Sequence, residues 1–89
     1  MRKLLFFHAP WCSPCKFFER EFLIPLSKQV SPKQIIKINA QERPFEAEKY
    51  RITRLPAAVL VDDERFVDFV SLSDMERCIS YLNNGSDAP

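Results

Sequence analysis

Glycine is nearly absent from these 89 residues: the single one, Gly85, lies in the polar closing stretch Asn83 to Pro89, a segment expected to fray. No segment repeats and none is of low complexity, so there is no place for an interdomain linker. The length suits one domain, expected over 1–83 with 84–89 as a flexible tail. Charge of one sign is also missing. Thirteen Lys and Arg against twelve Asp and Glu leave +1 with no same-sign block, which removes the electrostatic footprint that nucleic acid or an anionic membrane requires. No apolar run approaches a membrane span. The start Met1-Arg2-Lys3-Leu4-Leu5-Phe6-Phe7 imitates a secretory signal, but His8 and Pro10 break it and no small-residue cleavage site follows. A soluble, cytoplasmic monomer is the expectation. Cysteine is scarce and odd in number, three in all, which argues against a structural disulfide framework and toward thiol or metal chemistry.

What is present is an ordinary globular composition, 46% hydrophobic and 28% charged, with eight Phe supplying much of the apolar area of a small core. Lys3 to His8 reads as a strand buried on both faces. From Pro14, apolar Phe18, Phe22, Leu26 and Val30 recur every four residues, the stripe of an amphipathic helix that Pro25 should kink or end early. Gln34 to Asn39 reads as a second strand, and Pro44 opens a short helix to about Arg51. Ala57 to Val61 is a central strand, turned at Asp62-Asp63-Glu64 into an antiparallel neighbour, Arg65 to Val70. Ser73 with Glu76 has the capping-box spacing, and Met75, Cys78, Ile79 and Leu82 trace one face of a last helix. The order is βαβαββα, an α/β class.

The chemistry lies in Trp11-Cys12-Ser13-Pro14-Cys15-Lys16, two thiols in a four-residue span at a strand-to-helix junction, with Pro14 just inside the helix. At a helix N-terminus the first thiol meets unpaired backbone N–H groups and the positive end of the helix dipole, and both favour thiolate. Cys12 is therefore the nucleophile, expected to be exposed and the one thiol attacked rapidly by alkylating reagents. Cys15, one turn in, can attack a mixed disulfide on Cys12 and release the reduced target. A lone C-x-x-C also occurs in zinc sites, but zinc wants four ligands and only His8 and the distant Cys78 remain to supply them. Two buried cysteines of no chemical role is the other reading.

These residues resemble the thioredoxin family. The likeness rests on Phe7-His8-Ala9-Pro10-Trp11-Cys12-Ser13-Pro14-Cys15-Lys16, on Asn39 to Pro44, and on Tyr50-Arg51-Ile52-Thr53-Arg54-Leu55-Pro56, and so runs along nearly the whole chain. It implies a thioredoxin-like fold, here a trimmed βαβαββα around a four-stranded mixed sheet flanked by helices. It also implies a cis peptide before Pro56, packed against the redox pair, and a substrate groove built from Trp11, Ser13, Pro14, Leu55, Pro56, Val70 and Ser71. The implied activity is reduction of protein disulfides by dithiol exchange, without a cofactor, recharged by a thioredoxin-reductase-like or other thiol donor. Two alternatives remain open: a glutaredoxin-like or ribonucleotide-reductase-feeding redoxin, and a non-catalytic module that uses the same groove to bind a partner protein.

Departures from the family pattern are informative. The chain opens directly on the redox strand, as compact glutaredoxin-like and archaeal miniature redoxins do. Ser13-Pro14 replaces the usual Gly-Pro and adds a hydroxyl near the Cys12 sulfur. Phe6 occupies the place of a buried Asp that serves the resolving thiol, and Lys37 matches the lysine that accompanies it. Val70-Ser71 stands where a glycine usually lines the groove, and the Gly-Gly of a glutathione site is absent. His8 is either a packed ring or, since imidazole titrates near neutrality, an acid/base group for the Cys15 proton. Lys37 either snorkels to solvent or helps set the thiol equilibrium. Cys78 reads as a small core hydrophobe, with regulatory oxidation as the alternative. Trp11 beside the reactive thiol reads as a contact surface.

Overall fold

A computed structural model describes residues 1–84. Four strands, β1 (Arg2–His8), β2 (Ile35–Asn39), β3 (Ala57–Asp62) and β4 (Arg65–Val70), form one mixed sheet in the order β2-β1-β3-β4. Strand β1 is parallel to β2 and antiparallel to β3, which is antiparallel to β4. Alternation along β1 explains why its run of four apolar residues is unbroken: side chains on successive residues face opposite sides of the sheet, and both sides are covered. Leu4 and Phe6 join Ala58, Leu60, Phe18, Phe22, Leu26, Cys78 and Leu82 on one side; Leu5 and Phe7 join Val59, Val61, Ile38 and Tyr50 on the other. The first side is covered by α1 (Ser13–Phe18), α2 (Ile24–Ser27) and α4 (Met75–Asn84), the second by the region of α3 (Pro44–Lys49). This is the expected α/β architecture, the thioredoxin-like four-stranded sheet flanked by helices.

Three of the strands shift from the sequence expectation by a single residue at one end each, β1 opening at Arg2, β2 at Ile35 and β3 closing at Asp62, whereas the helices differ more, each for a local reason. The first helix is not one α-helix to Val30. A π-helical segment, Glu19–Leu23, separates α1 from α2, with the Ile24 N–H bonded to the Glu19 carbonyl five residues back. Pro25 follows at once and has no N–H to offer the Glu21 carbonyl, so the wider turn falls where the ordinary ladder is already broken. The stripe survives: Phe18, Phe22 and Leu26 are all buried, with Phe22 only 1% exposed. At the last helix, Asp74 rather than Ser73 precedes the first turn. The Asp74 carbonyl accepts from the Cys78 N–H at 2.9 Å, while its carboxylate turns back to accept from the Ser71 N–H at 2.8 Å. Helix α4 runs to Asn84, taking in the first residue of the expected tail; residues 85–89 lie outside those described.

Helix α3 stops at Lys49, short of Arg51, in a Schellman arrangement: the Ile52 N–H donates to the Ala47 carbonyl at 2.9 Å and the Arg51 N–H to the Glu48 carbonyl at 3.0 Å. That geometry puts Arg51 in the left-handed region, φ 55°. Glycine is favoured there because a side chain costs roughly 1 kcal/mol. In the β3–β4 hairpin the pairing slips between Leu60 and Val61, so that Leu60 faces Asp68 and Val61 faces Phe66, leaving Val67 as the extra residue of a bulge. The slip brings Phe66 and Phe69, three apart, together at 5.1 Å between ring centroids.

Removing the Phe22 side chain should leave a cavity beside the π-helical segment and cost about 3–5 kcal/mol. Phe45, 83% exposed on α3, should cost less than about 0.5 kcal/mol on the same change to Ala. Urea unfolding of Phe22→Ala and Phe45→Ala against the parent chain checks both.

Candidate active site

The sheet topology gathers the site at one end. Because β1 runs antiparallel to β3 and β3 antiparallel to β4, the end of β1 (His8), the start of β3 (Ala57) and the end of β4 (Val70) share one edge. From His8 the chain enters a turn closed by the Cys12 N–H on the Ala9 carbonyl at 3.1 Å, and α1 begins at Ser13. Cys12 is the N-cap, with extended backbone angles (φ −93°, ψ 99°), and Pro14 lies in the first turn, where its missing N–H costs nothing.

Cys12 and Cys15 are joined by a disulfide, their Cα atoms 5.2 Å apart. The Cys12 sulfur accepts the Cys15 backbone N–H at 3.1 Å, taking the place that a Ser or Asp oxygen would fill at an ordinary cap. A donor fixed on this atom stabilises negative charge there, so when the disulfide opens the electrons have a preorganised seat at Cys12. The expectation of an exposed Cys12 is corrected. Cys12 and Cys15 are each 2% exposed, because the folded-back turn packs both into the apolar cluster with Phe6, Ala9 and Phe18. Exposure belongs instead to the rim, where Trp11 is 67% exposed and Ser13 and Pro14 are exposed beside it.

The peptide between Leu55 and Pro56 is cis. Leu55 packs against both apolar clusters, including the one that holds the two cysteines, and Pro56 and Val70 line a common depression of about 400 Å³. Ser71 follows Val70 at the end of β4, its N–H and hydroxyl both bonded to the Asp74 carboxylate. Beneath the pair the floor is apolar: Phe6 is fully buried, with the His8 ring stacked at 5.7 Å and the Phe18 ring at 5.4 Å. Among the described residues no charged or polar side chain is buried, so no carboxylate lies under Cys15. His8 is half-buried on Phe6, and Lys37 reaches the surface, where its ammonium pairs with the Glu19 carboxylate. Thus the fold brings Trp11, Cys12, Ser13, Pro14, Cys15, Leu55, Pro56 and Val70 to one end of the sheet, with His8 below and Lys37 out at the rim.

Sequence reading passed over Arg51, Thr53 and Arg54, which line the same depression as Pro56. The available signal was two arginines in the short segment leading into the proline. Cys78 is wholly buried on α4, and burial pushes its thiol from an ordinary 9.0 up to about 11. Among the described residues no cluster of three or more His, Cys, Asp or Glu side chains is placed to hold a metal ion, and no helix is long and apolar enough to cross a membrane.

The family model described as Thioredoxin matches residues 2–83. A thioredoxin of Chlamydia caviae is 36% identical over 84 residues, which span 93% of this chain and 81% of that protein. A thioredoxin of Mycoplasma genitalium is 34% identical over 82 residues, 88% of this chain and 76% of its own. Among solved structures, oxidised mitochondrial thioredoxin 3 from Saccharomyces cerevisiae aligns with a TM-score of 0.76 at 26% identity, covering 91% of this chain and 78% of that one.

In the reduced native protein a brief iodoacetamide pulse near neutral pH should label Cys12 and leave Cys78 unmodified, as read by peptide mass mapping. A second consequence follows from linkage. The folded state holds the Cys78 proton more tightly than the unfolded chain, so this residue's contribution is fully present below about 9 and is lost as pH rises toward about 11. The fall in stability over that window, followed by denaturant titration, should be smaller in Cys78→Ala than in the parent chain.

Proposed function

The chain belongs to the thioredoxin family and is a thiol–disulfide oxidoreductase, and from that membership we propose that it works as a reductant of protein disulfides. The observation that carries the reading is the Cys12–Cys15 disulfide at the start of α1, with a backbone N–H fixed on the Cys12 sulfur. In the reduced protein the Cys12 thiolate attacks one sulfur of a target disulfide; a Cys12–target bond forms, the target S–S bond breaks, and the second target sulfur leaves as thiolate. Cys15 then loses its proton and attacks the Cys12 sulfur, re-forming the Cys12–Cys15 bond and expelling the first target sulfur. Two electrons have passed from the dithiol to the target. A reductase or other thiol donor returns the pair to the reduced state, which makes the protein an electron carrier in cellular redox balance.

Trp11, Ser13, Pro14, Leu55, Pro56, Val70 and Ser71 are assigned to the groove that receives the target's extended backbone, Trp11 offering a large exposed aromatic face for contact. The free, buried Cys78 beside one exchanging pair suits a reducing compartment, which supports a cytoplasmic location. A single chain suffices for this chemistry, so the working unit is a monomer. The relatives named above are thioredoxins, and neither the glutathione-dependent nor the non-catalytic alternative is favoured.

Cys12→Ser should abolish disulfide reduction, by about three orders of magnitude or more, while Cys15→Ser should accumulate a covalent mixed disulfide with the target, seen as an added mass lost on treatment with dithiothreitol. Accumulation on Cys15 in a Cys12→Ser variant instead would reverse the assigned roles. With no carboxylate buried under the pair among the described residues, His8 is the acceptor assigned to the Cys15 proton. His8→Phe should therefore slow release of the reduced target several-fold in single-turnover measurements. A rate matching the parent's gives the proton to solvent or Lys37.

A further inference from the structure

Two arginines with no partner of their own among the described residues line the depression beside the cis-proline Pro56. Arg51 and Arg54 are exposed, line the depression of about 400 Å³ that Pro56 and Val70 share, and make no ion pair or side-chain hydrogen bond among the described residues. Of the other basic groups, Lys49 pairs with Glu64, Arg43 with Glu46, and Arg77 with Asp68 and Asp74, while Lys16 and Arg65 make no ion pair among the described residues but do not line this depression. Arg51 is held, moreover, at the left-handed position that closes α3, φ 55°, where the backbone favours glycine. A long cationic side chain kept at such a position is an outlier that points to use. Its location extends that use outward, because Arg51 also borders a second depression of about 260 Å³ walled by Tyr50, Phe66 and Phe69.

We propose that this pair selects the substrate: the groove prefers target disulfides whose cysteine is flanked by Asp or Glu, the carboxylates meeting Arg51 and Arg54 while the target backbone lies along Leu55 and Pro56. The inference rests on the oxidoreductase reading and adds a substrate class to it. Guanidinium is suited to the task, since its fixed fork of donors matches a carboxylate and it keeps its charge at every physiological pH. The wall beside it is apolar and partly exposed, Phe69 being 50% exposed, so a carboxylate seated there meets less competing water than on an open surface. The contacts remain at the rim, so the preference acts mainly through encounter and is screened by salt.

The test compares two synthetic peptides with the same intramolecular disulfide, one carrying Glu and the other Gln beside the cysteines. Rates of reduction by the reduced protein should favour the Glu peptide by about fivefold at low ionic strength, the ratio falling toward one as salt is raised. The ratio should collapse to about one in the double variant Arg51→Gly, Arg54→Gln, and should invert in Arg54→Glu. Arg51→Gly introduces the residue that the backbone angle favours, so the variant folds, as its thermal unfolding will verify. A parent ratio of one, or a ratio unaltered by the substitutions, overturns the proposal. If neither peptide is reduced, the dithiol reading has failed rather than the groove; the charge preference is then read from the affinities of the same peptides for the oxidised protein, where equal affinities overturn it.

Discussion

Everything at the redox end depends on one hydrogen bond, the Cys15 backbone N–H to the Cys12 sulfur. It exists only because Cys12 occupies the N-cap, and that requires the chain to leave β1, reverse at Ala9 to Trp11 and enter α1 within a few residues. The sheet makes so abrupt a reversal tolerable. Strand β1 is clamped between β2 and β3, and its Leu4, Leu5, Phe6 and Phe7 are buried by helices on both faces, so the end of the strand is a fixed anchor. A sulfur held by a rigid donor needs little reorganisation when it takes up charge, which is the physical content of preorganisation in this fold.

The same anchor sets the character of the site's floor. Phe6 points from β1 toward α1 and fills the space beneath the cysteines with a stacked ring system rather than with a carboxylate and its hydration. An apolar floor stabilises the fold through burial, about 1.5–3 kcal/mol for a side chain of this kind. Lys37, which shares a register position with Phe6 on the neighbouring strand, does not turn inward; its ammonium sits with Glu19 at the surface, an exposed ion pair that adds little to stability.

Most of this was legible in the sequence because it is written in short-range patterns. The continuous apolar run of β1, the four-residue stripe of Phe18, Phe22 and Leu26, and the thiol pair with Pro14 between them each specify their own local structure. What escaped reading depends on hydrogen-bond choices with close rivals. The π-helical segment at Glu19–Leu23 differs from α-helix by one residue in bonding register, and Asp74 competed with Ser73 for the cap. The burial of Cys12 is tertiary: the turn that presents the thiol also folds it against Ala9 and Phe6. Arg51 and Arg54 were visible as letters, but that they face one hollow with Pro56 is decided by the end of α3 and the pairing of β3, at which no single segment hints.

Strand β4 lies at the open margin of the sheet and carries exposed Phe66, Val67 and Phe69, the composition of a surface on which chains polymerise strand upon strand. Its backbone is occupied nonetheless. The Phe69 N–H is taken by the carboxylate of Asp68 at 2.8 Å and the Phe69 carbonyl by the Arg77 guanidinium at 2.9 Å, while the bulge at Val67 bends the strand out of a flat template. An incoming strand therefore finds its central hydrogen-bonding positions filled by side chains of the molecule itself. The exposed aromatic side chains of this margin thus stand beside backbone groups that an added strand cannot use, so apolar surface and a free sheet edge do not coincide at Phe69.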